Sequence, residues 1–269
     1  MRSACAGHLR GGIWSPATVT VSNVRILAHR GSPGSGSTEN TIPAISTALA
    51  AGADGVEVDL RLTADGVLAV CHDPDLARLT GRPLPVQSSS WEALRDSAAE
   101  HGVPLARVEW VLAAAGGRHV VLELKASSTP PARTVEVLVE RLVGLHAAAL
   151  PLSVTVSSFD AALARAFRET APAHLRVRTA LLGRPGCLSL AVLRQAVAAG
   201  HDQMHPHISD LLEEPSTVAA ATSCGVQVVP WTVNSTRALR RCAELGVEAV
   251  ITDVPRKARL AVAARRAAA

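Results

Sequence analysis

Aromatic side chains are almost missing from this chain. Its 269 residues include no Tyr, two Phe and four Trp, 2% in all. Proteins that stack nucleic-acid bases need such rings, so that class of binder is excluded. A core must instead be built from the Ala, Val and Leu that dominate the 48% hydrophobic content. Cysteine is sparse and odd in number: Cys5, Cys71, Cys187, Cys224 and Cys242, with no C-x-x-C pair. That pattern offers neither a zinc site nor a disulfide framework and fits a reducing compartment, the cytoplasm. No run of about 18 strongly apolar residues marks a membrane span. The N-terminal stretch is broken by Gly11, Gly12 and Pro16 and lacks the apolar segment of a secretory signal. Residues 1–24 read as a loose extension ahead of one domain, 25–269. A Gly-x-Gly-x-x-Gly fingerprint is absent after the first β-like run, which removes the dinucleotide-binding reading. The net charge of +4 is dispersed, except at Arg256, Lys257, Arg259, Arg265 and Arg266. That cluster reads as a solvated helix end rather than a nucleic-acid or lipid contact.

What is present is alternation. Short β-rich runs occur at 24–28, 55–60, 119–124, 153–157, 176–182, 203–205, 226–231 and 249–252. Between them lie Ala/Leu/Arg-rich segments of helical length, such as 44–51, 133–149, 161–170, 190–199, 216–223 and 236–245. Strands alternating with helices imply a parallel sheet, and eight units in about 230 residues imply a closed (β/α)8 TIM barrel rather than an open doubly wound sheet. One further run, Val67 to Cys71, follows the second strand across Thr63-Ala64-Asp65-Gly66, an Asp-Gly turn signal. It predicts a small hairpin insertion after strand two.

Barrel enzymes work at the C-terminal ends of their strands, and here those ends are polar. The first run ends in His29-Arg30-Gly31, the hairpin arm in His72-Asp73, and the third barrel strand in Glu123-Leu124-Lys125. Glu57 and Asp59, spaced by two, share one face of the second strand. Two like charges facing a lumen repel unless a cation joins them. Glu123 can add a third carboxylate, and an all-oxygen set suits Mg²⁺ or Ca²⁺ better than zinc. His29 and His72 titrate near neutrality and can serve as general acid and base, in either order. Arg30 offers a planar fork to a phosphate oxygen and Lys125 a point charge. A metal, paired histidines and phosphate-binding cations together describe metal-assisted phosphodiester hydrolysis. His205 and His207 read as structural or substrate-rim residues.

These residues, in this order, resemble the glycerophosphodiester phosphodiesterase family. The resemblance rests on His29-Arg30-Gly31, Glu39-Asn40-Thr41, Gly55-Val-Glu57-Val-Asp59, Thr63-Ala-Asp65-Gly66 and His72-Asp73. Glu123-Leu-Lys125, Trp231-Thr232-Val233-Asn234 and Thr252-Asp253-Val-Pro255 extend it, so that it runs from about Arg25 to Pro255. It implies a divalent ion on Glu57, Asp59 and Glu123, acid/base roles for His29 and His72, and phosphate binding by Arg30. It places Glu39 beside the metal or the glycerol hydroxyls and Trp231 as an apolar wall. Asn40 would open and cap the first helix, while Asn234 and Asp253 would serve caps and turns. Thr38 and Leu79 depart from the family pattern without removing a catalytic group. The implied substrate is a small glycerophosphodiester, with no nucleic-acid partner. The alternatives are a lysophospholipase D-like activity on lysolipids and a catalytically silent barrel that binds a phosphorylated ligand.

Overall fold

A computed structural model describes residues 24–31, 36–127 and 130–263. The expected N-terminal extension, apart from Val24, and the basic residues Arg265 and Arg266 lie outside these. The chain opens with β1 (Arg25–His29), α1 (Ile42–Ala50) and β2 (Gly55–Leu62). It turns back into β3 (Leu68–Val70), then passes through α2 (Ala77–Thr80), α3 (Trp91–Glu100), β4 (Ala106–Arg107) and α4 (Val108–Ala115). Alternation resumes with β5 (His119–Leu124), α5 (Pro131–Ala147), β6 (Val154–Ser158), α6 (Ala161–Thr170), β7 (Arg178–Leu182) and α7 (Ser189–Ala199). The last third holds β8 (Gln203–His205), α8 (Ile208–Glu213), α9 (Thr217–Ser223), β9 (Gln227–Val228), α10 (Thr236–Leu245), β10 (Ala249–Thr252) and α11 (Pro255–Ala263).

Eight strands run parallel in the order β10-β1-β2-β5-β6-β7-β8-β9. Backbone bonds join the two ends of this row: Glu248 N–H donates to Val228 O and Ile251 N–H to Pro230 O, both at 3.0 Å. The sheet is therefore a closed (β/α)8 barrel, as the alternation implies. Each strand faces two ways. Ala28, Val56, Val58, Leu60, Val120, Leu122 and Val156 point outward into the layer shared with the helices. Leu27, Val121, Val229, Ala249 and Ile251 fill the lumen. Apart from Phe167, the largest fully buried side chains are Ile and Leu, each contributing about 1.5–3 kcal/mol by burial. The helices show the matching stripe: α10 buries Ala238, Leu239, Cys242 and Ala243, and Ser235 caps its start by accepting from Ala238 N–H. No helix among the described residues is long and apolar enough to cross a membrane.

The hairpin after β2 is present, with Leu60 opposite Val70 and Leu62 opposite Leu68. It continues further than the sequence suggests, because β3 also pairs with β4 and α2 and α3 lie between them. This excursion has its own apolar cluster around Leu76, Val86, Trp91, Leu94 and Leu105. The Thr63–Gly66 turn does two jobs. Gly66 supplies the positive φ of 79°, and the Asp65 carboxylate accepts from Trp91 N–H at 3.0 Å, anchoring the start of α3.

Register sets the site. Across β2 and β5 Asp59 stands opposite Glu123, and across β1 and β2 His29 stands opposite Glu57. Gly55 permits the close approach of β2 to β5, since a Cβ there would fall 2.1 Å from His119 O. Gly55→Ala should therefore lower the urea unfolding midpoint by an amount equivalent to about 1–3 kcal/mol. A midpoint within error of the parent protein would show that this approach is not a constraint.

Candidate active site

The C-terminal mouth of the barrel gathers every charged group singled out from the sequence. Glu57, Asp59 and Glu123 are buried, and a ligand oxygen from each lies within 4.8 Å of the others. Three such carboxylates cannot all ionise without cations. Lys125 Nζ sits 2.8 Å from Asp59 Oδ1 and 2.5 Å from Glu123 Oε1. Arg30 Nε lies 3.3 Å from Asp59 Oδ2. Burial acts to raise the Asp59 pKa, but Lys125 and Arg30 outweigh it and hold the carboxyl at about 2. For Glu57 and Glu123, burial, and then the Asp59 charge, push the carboxyl up. Asp59 Oδ1 and Glu123 Oε1 touch Lys125 at ion-pair distance, yet neither has a well-aligned hydrogen bond. Buried, clustered, under-satisfied oxygens are what a hard divalent cation needs, so the residues fit one.

His29 and His72 are built alike. His29 Nδ1 lies 2.7 Å from Asp253 Oδ1, and His72 Nδ1 lies 2.7 Å from Asp73 Oδ1. A carboxylate only accepts, so each Nδ1 carries a proton and each Nε2 is the free working nitrogen. His29 Nε2 faces Glu57 Oε2 at 4.0 Å. Asp253 is itself positioned by Asn234, whose Nδ2 donates to Asp253 Oδ2 at 2.7 Å and whose Oδ1 accepts from Asp253 N–H at 2.9 Å. Asp73 is held by Arg78 Nε at 2.6 Å, and Arg61 donates to His72 O from Nε and Nη2. The two imidazoles are pushed apart. Burial works against a charged His29, but its bond to Asp253 and the charge of Glu57 prevail and raise its pKa. For His72, burial wins over the charge of Asp59 and the bond to Asp73 and lowers it.

Glu39 is clamped between Arg30 Nη1 at 3.1 Å and Arg78 Nη2 at 2.6 Å. Asn40 does not cap α1. Thr41 does, accepting from Ala44 N–H, because Asn40 takes a left-handed backbone with φ 59°. Its side chain turns to Asp59 instead, donating from Nδ2 at 2.8 Å and accepting from Asp59 N–H. Trp231 forms an apolar wall with Phe159, ring centroids 5.3 Å apart, and its Nε1 donates to His205 O. His207 packs edge-on against Trp231 at the rim, whereas His205 lies inside. Trp231, Phe159 and His205 line a cavity of about 100 Å³ together with His29, His72 and Lys125. A larger groove of about 620 Å³ runs over α11, lined by Leu260, Pro255 and Arg240. Glu57, Glu123 and both histidines line the smaller one.

Five residues of the site were not legible as such in the sequence. Asp253 and Asn234 looked like turn residues, Asp73 stood out only as the neighbour of His72, and Arg78 and Arg61 carried no signal beyond their place in an ordinary strand or loop.

Two carboxylate-backed imidazoles beside an oxygen cradle for a divalent ion, at the mouth of a parallel barrel, define the class of metal-assisted phosphoester hydrolases. Within that class the chain belongs to the glycerophosphoryl diester phosphodiesterase family, which it matches over residues 29–257. It is 31% identical to a glycerophosphodiester phosphodiesterase of Bacillus altitudinis over 246 residues, 87% of this chain and 96% of that protein. A Caldanaerobacter subterraneus glycerophosphodiester phosphodiesterase is 28% identical, covering 86% of this chain and 94% of the relative. The crystal structure of a Parabacteroides distasonis glycerophosphodiester phosphodiesterase superposes with a TM-score of 0.76 at 25% identity, covering 91% of this chain and 99% of that one.

The carboxylate cluster has a consequence for stability. The folded, ion-free protein holds protons on Glu57, Glu123 and His29 that the unfolded chain releases at lower pH. Its unfolding free energy should therefore fall as pH rises from the ordinary His value of 6.5 to about 8. Saturating Mg²⁺ or Ca²⁺ should raise the melting temperature and flatten that slope, and Asp59→Asn should abolish the ion's effect. A melting temperature indifferent to both ions between pH 6.5 and 8 would contradict the metal assignment.

Proposed function

We propose that this site hydrolyses glycerophosphodiesters to an alcohol and sn-glycerol 3-phosphate, with His29 and His72 as the proton-transfer pair. One observation carries the reading: both imidazoles are backed by a carboxylate on Nδ1 and flank the same buried carboxylate triad. Glu57, Asp59 and Glu123 would hold Mg²⁺ or Ca²⁺, which supplies Lewis-acid stabilisation of a non-bridging phosphate oxygen. Arg30 and Lys125 add fixed positive charge to the same phosphate, in a site whose burial makes that charge count.

His72, kept neutral by burial, takes the proton of the attacking hydroxyl, which comes either from water, giving glycerol 3-phosphate directly, or from the glycerol C2 position, giving a cyclic phosphate that water then opens with the two imidazoles exchanging roles. His29, whose bond to Asp253 favours the protonated form, delivers a proton to the departing alcohol oxygen as the P–O bond breaks. Arg30 and Arg78 orient Glu39, which accepts a hydrogen bond from a glycerol hydroxyl. Trp231 and Phe159 cover the carbon skeleton and limit water. A cavity of about 100 Å³ suits a three-carbon alcohol, and among the described residues no feature favours a lysolipid. A complete acid/base pair and triad speak against a silent barrel. A barrel of the same fold from Oleispira antarctica, 23% identical with a TM-score of 0.74, has been solved with the product sn-glycerol-3-phosphate. A cytoplasmic setting is part of this reading, supported by scattered cysteines that offer no disulfide framework.

The test is turnover of glycerophosphocholine and glycerophosphoethanolamine, read as glycerol 3-phosphate, with Mg²⁺, Ca²⁺ or EDTA. EDTA should abolish it, and His29→Ala or His72→Ala should each lower kcat/KM by about 10²–10⁴-fold. The parent pH profile should be a bell centred near the ordinary His value of 6.5. Its acid limb should vanish in the His72 variant and its alkaline limb in the His29 variant. Near-parental rates in either variant would refute the assignment.

A further inference from the structure

In the lining of the same cavity, two polar atoms have no hydrogen-bond partner among the described residues and play no part in the chemistry above. They are His205 Nδ1 and Ser157 Oγ, both buried. Both residues line the cavity with Phe159, Leu182, Trp231 and Ile251. An unpaired polar atom in such surroundings is costly to bury, so each calls for a ligand group of defined chemistry.

The proton positions around His205 follow from its neighbours. Arg178 can only donate. Its Nη1 lies 3.0 Å from the Gln227 side chain, so the atom it meets is the amide oxygen, Oε1. That oxygen also accepts from Gln203 Nε2 at 3.0 Å, which leaves Gln203 Oε1 to face His205 Nε2 at 3.0 Å. An amide oxygen cannot donate, so the proton of His205 sits on Nε2 and Nδ1 presents a bare lone pair. Burial holds the ring neutral, its pKa lowered to about 3. Nδ1 can thus only accept, whereas Ser157 Oγ–H can donate. A hydroxyl has both capacities: it can donate to His205 and accept from Ser157. A phosphate oxygen would meet the Nδ1 lone pair with its own, and a quaternary ammonium head group has no proton to give.

We propose that His205 and Ser157 form a hydroxyl-recognition subsite that seats the free primary hydroxyl of the glycerol moiety, the one farthest from phosphorus, and so select glycerol phosphodiesters over their deoxy analogues. This rests on the glycerophosphodiesterase reading above. It makes the two residues specificity determinants, with His205 itself oriented by the Gln203–Gln227–Arg178 chain.

The experiment compares kcat/KM for glycerophosphocholine with that for its 1-deoxy analogue, which keeps the C2 hydroxyl. The parent enzyme should prefer the natural substrate by at least about 100-fold, because losing the hydroxyl leaves buried polar groups unpaired. His205→Phe and Ser157→Ala should each collapse that preference to within about tenfold. The loss should come from glycerophosphocholine, with turnover of the deoxy analogue kept within about threefold of the parent. Ser157→Ala is the smaller change and carries the test if the His205 variant melts early. Turnover without discrimination in the parent, or full discrimination in a folded Ser157→Ala variant, would overturn the subsite while leaving the reaction intact. No turnover of either substrate with any ion would sink the reaction reading and the subsite with it.

Discussion

Like charge held together inside the barrel is the constraint on which the rest depends. Glu57, Asp59 and Glu123 lie on two neighbouring strands whose register sets Asp59 against Glu123. A fold that buries three carboxylates must supply cations, share protons among them, or bind a metal, and this one has the means for all three. Lys125 and Arg30 neutralise Asp59, while Glu57 and Glu123 are biased toward their protonated forms. The ion-free protein is thus a compromise that a divalent cation resolves. The oxygen set, the fixed cations and the flanking imidazoles are consequences of the same crowded layer.

The two imidazoles are supported by different parts of the molecule. His29 leans on Asp253 and Asn234, which belong to the end of the barrel wall. His72 leans on Asp73, Arg78 and Arg61, and Arg78 comes from the excursion between β3 and β4. That excursion thereby gives one imidazole a setting unlike the other's, so two residues of the same type acquire opposite biases. Arg78 also reaches Glu39, tying the His72 support to the side of the site where Arg30 sits.

Much of this was legible in the sequence. The eight strands stand out because a parallel strand buried on both faces is a short apolar run, and those runs are cleanly separated by Ala-rich helices. Glu57 and Asp59 announce themselves by their spacing within such a run, and His29, Arg30, His72, Glu123 and Lys125 by ending one. The extent of the excursion was not legible. Segment Trp91–Glu100 mixes charge with Ala and packs on a small local cluster, so its helical face is faint. Asn40 looked like a helix cap because its residue type favours one, but a buried acid offered it a stronger partner. Asp253 looked like a turn residue because its partner is 224 positions away in the chain, a separation no local pattern reports. The tautomer of His205 depends on three side chains from three strands and can be inferred only once they are assembled.

The pairing of His29 with Asp253 joins the first strand of the barrel to the end of the last. During synthesis from the N-terminus, His29 emerges more than two hundred residues before the carboxylate that orients it. Until β10 slots between β9 and β1, the imidazole has no fixed tautomer and no defined direction. The nascent chain can therefore carry its three buried acids and both histidines while His29 still lacks the partner that orients it. That pair is complete only once the ring closes, and a chain cut short before residue 253 lacks it.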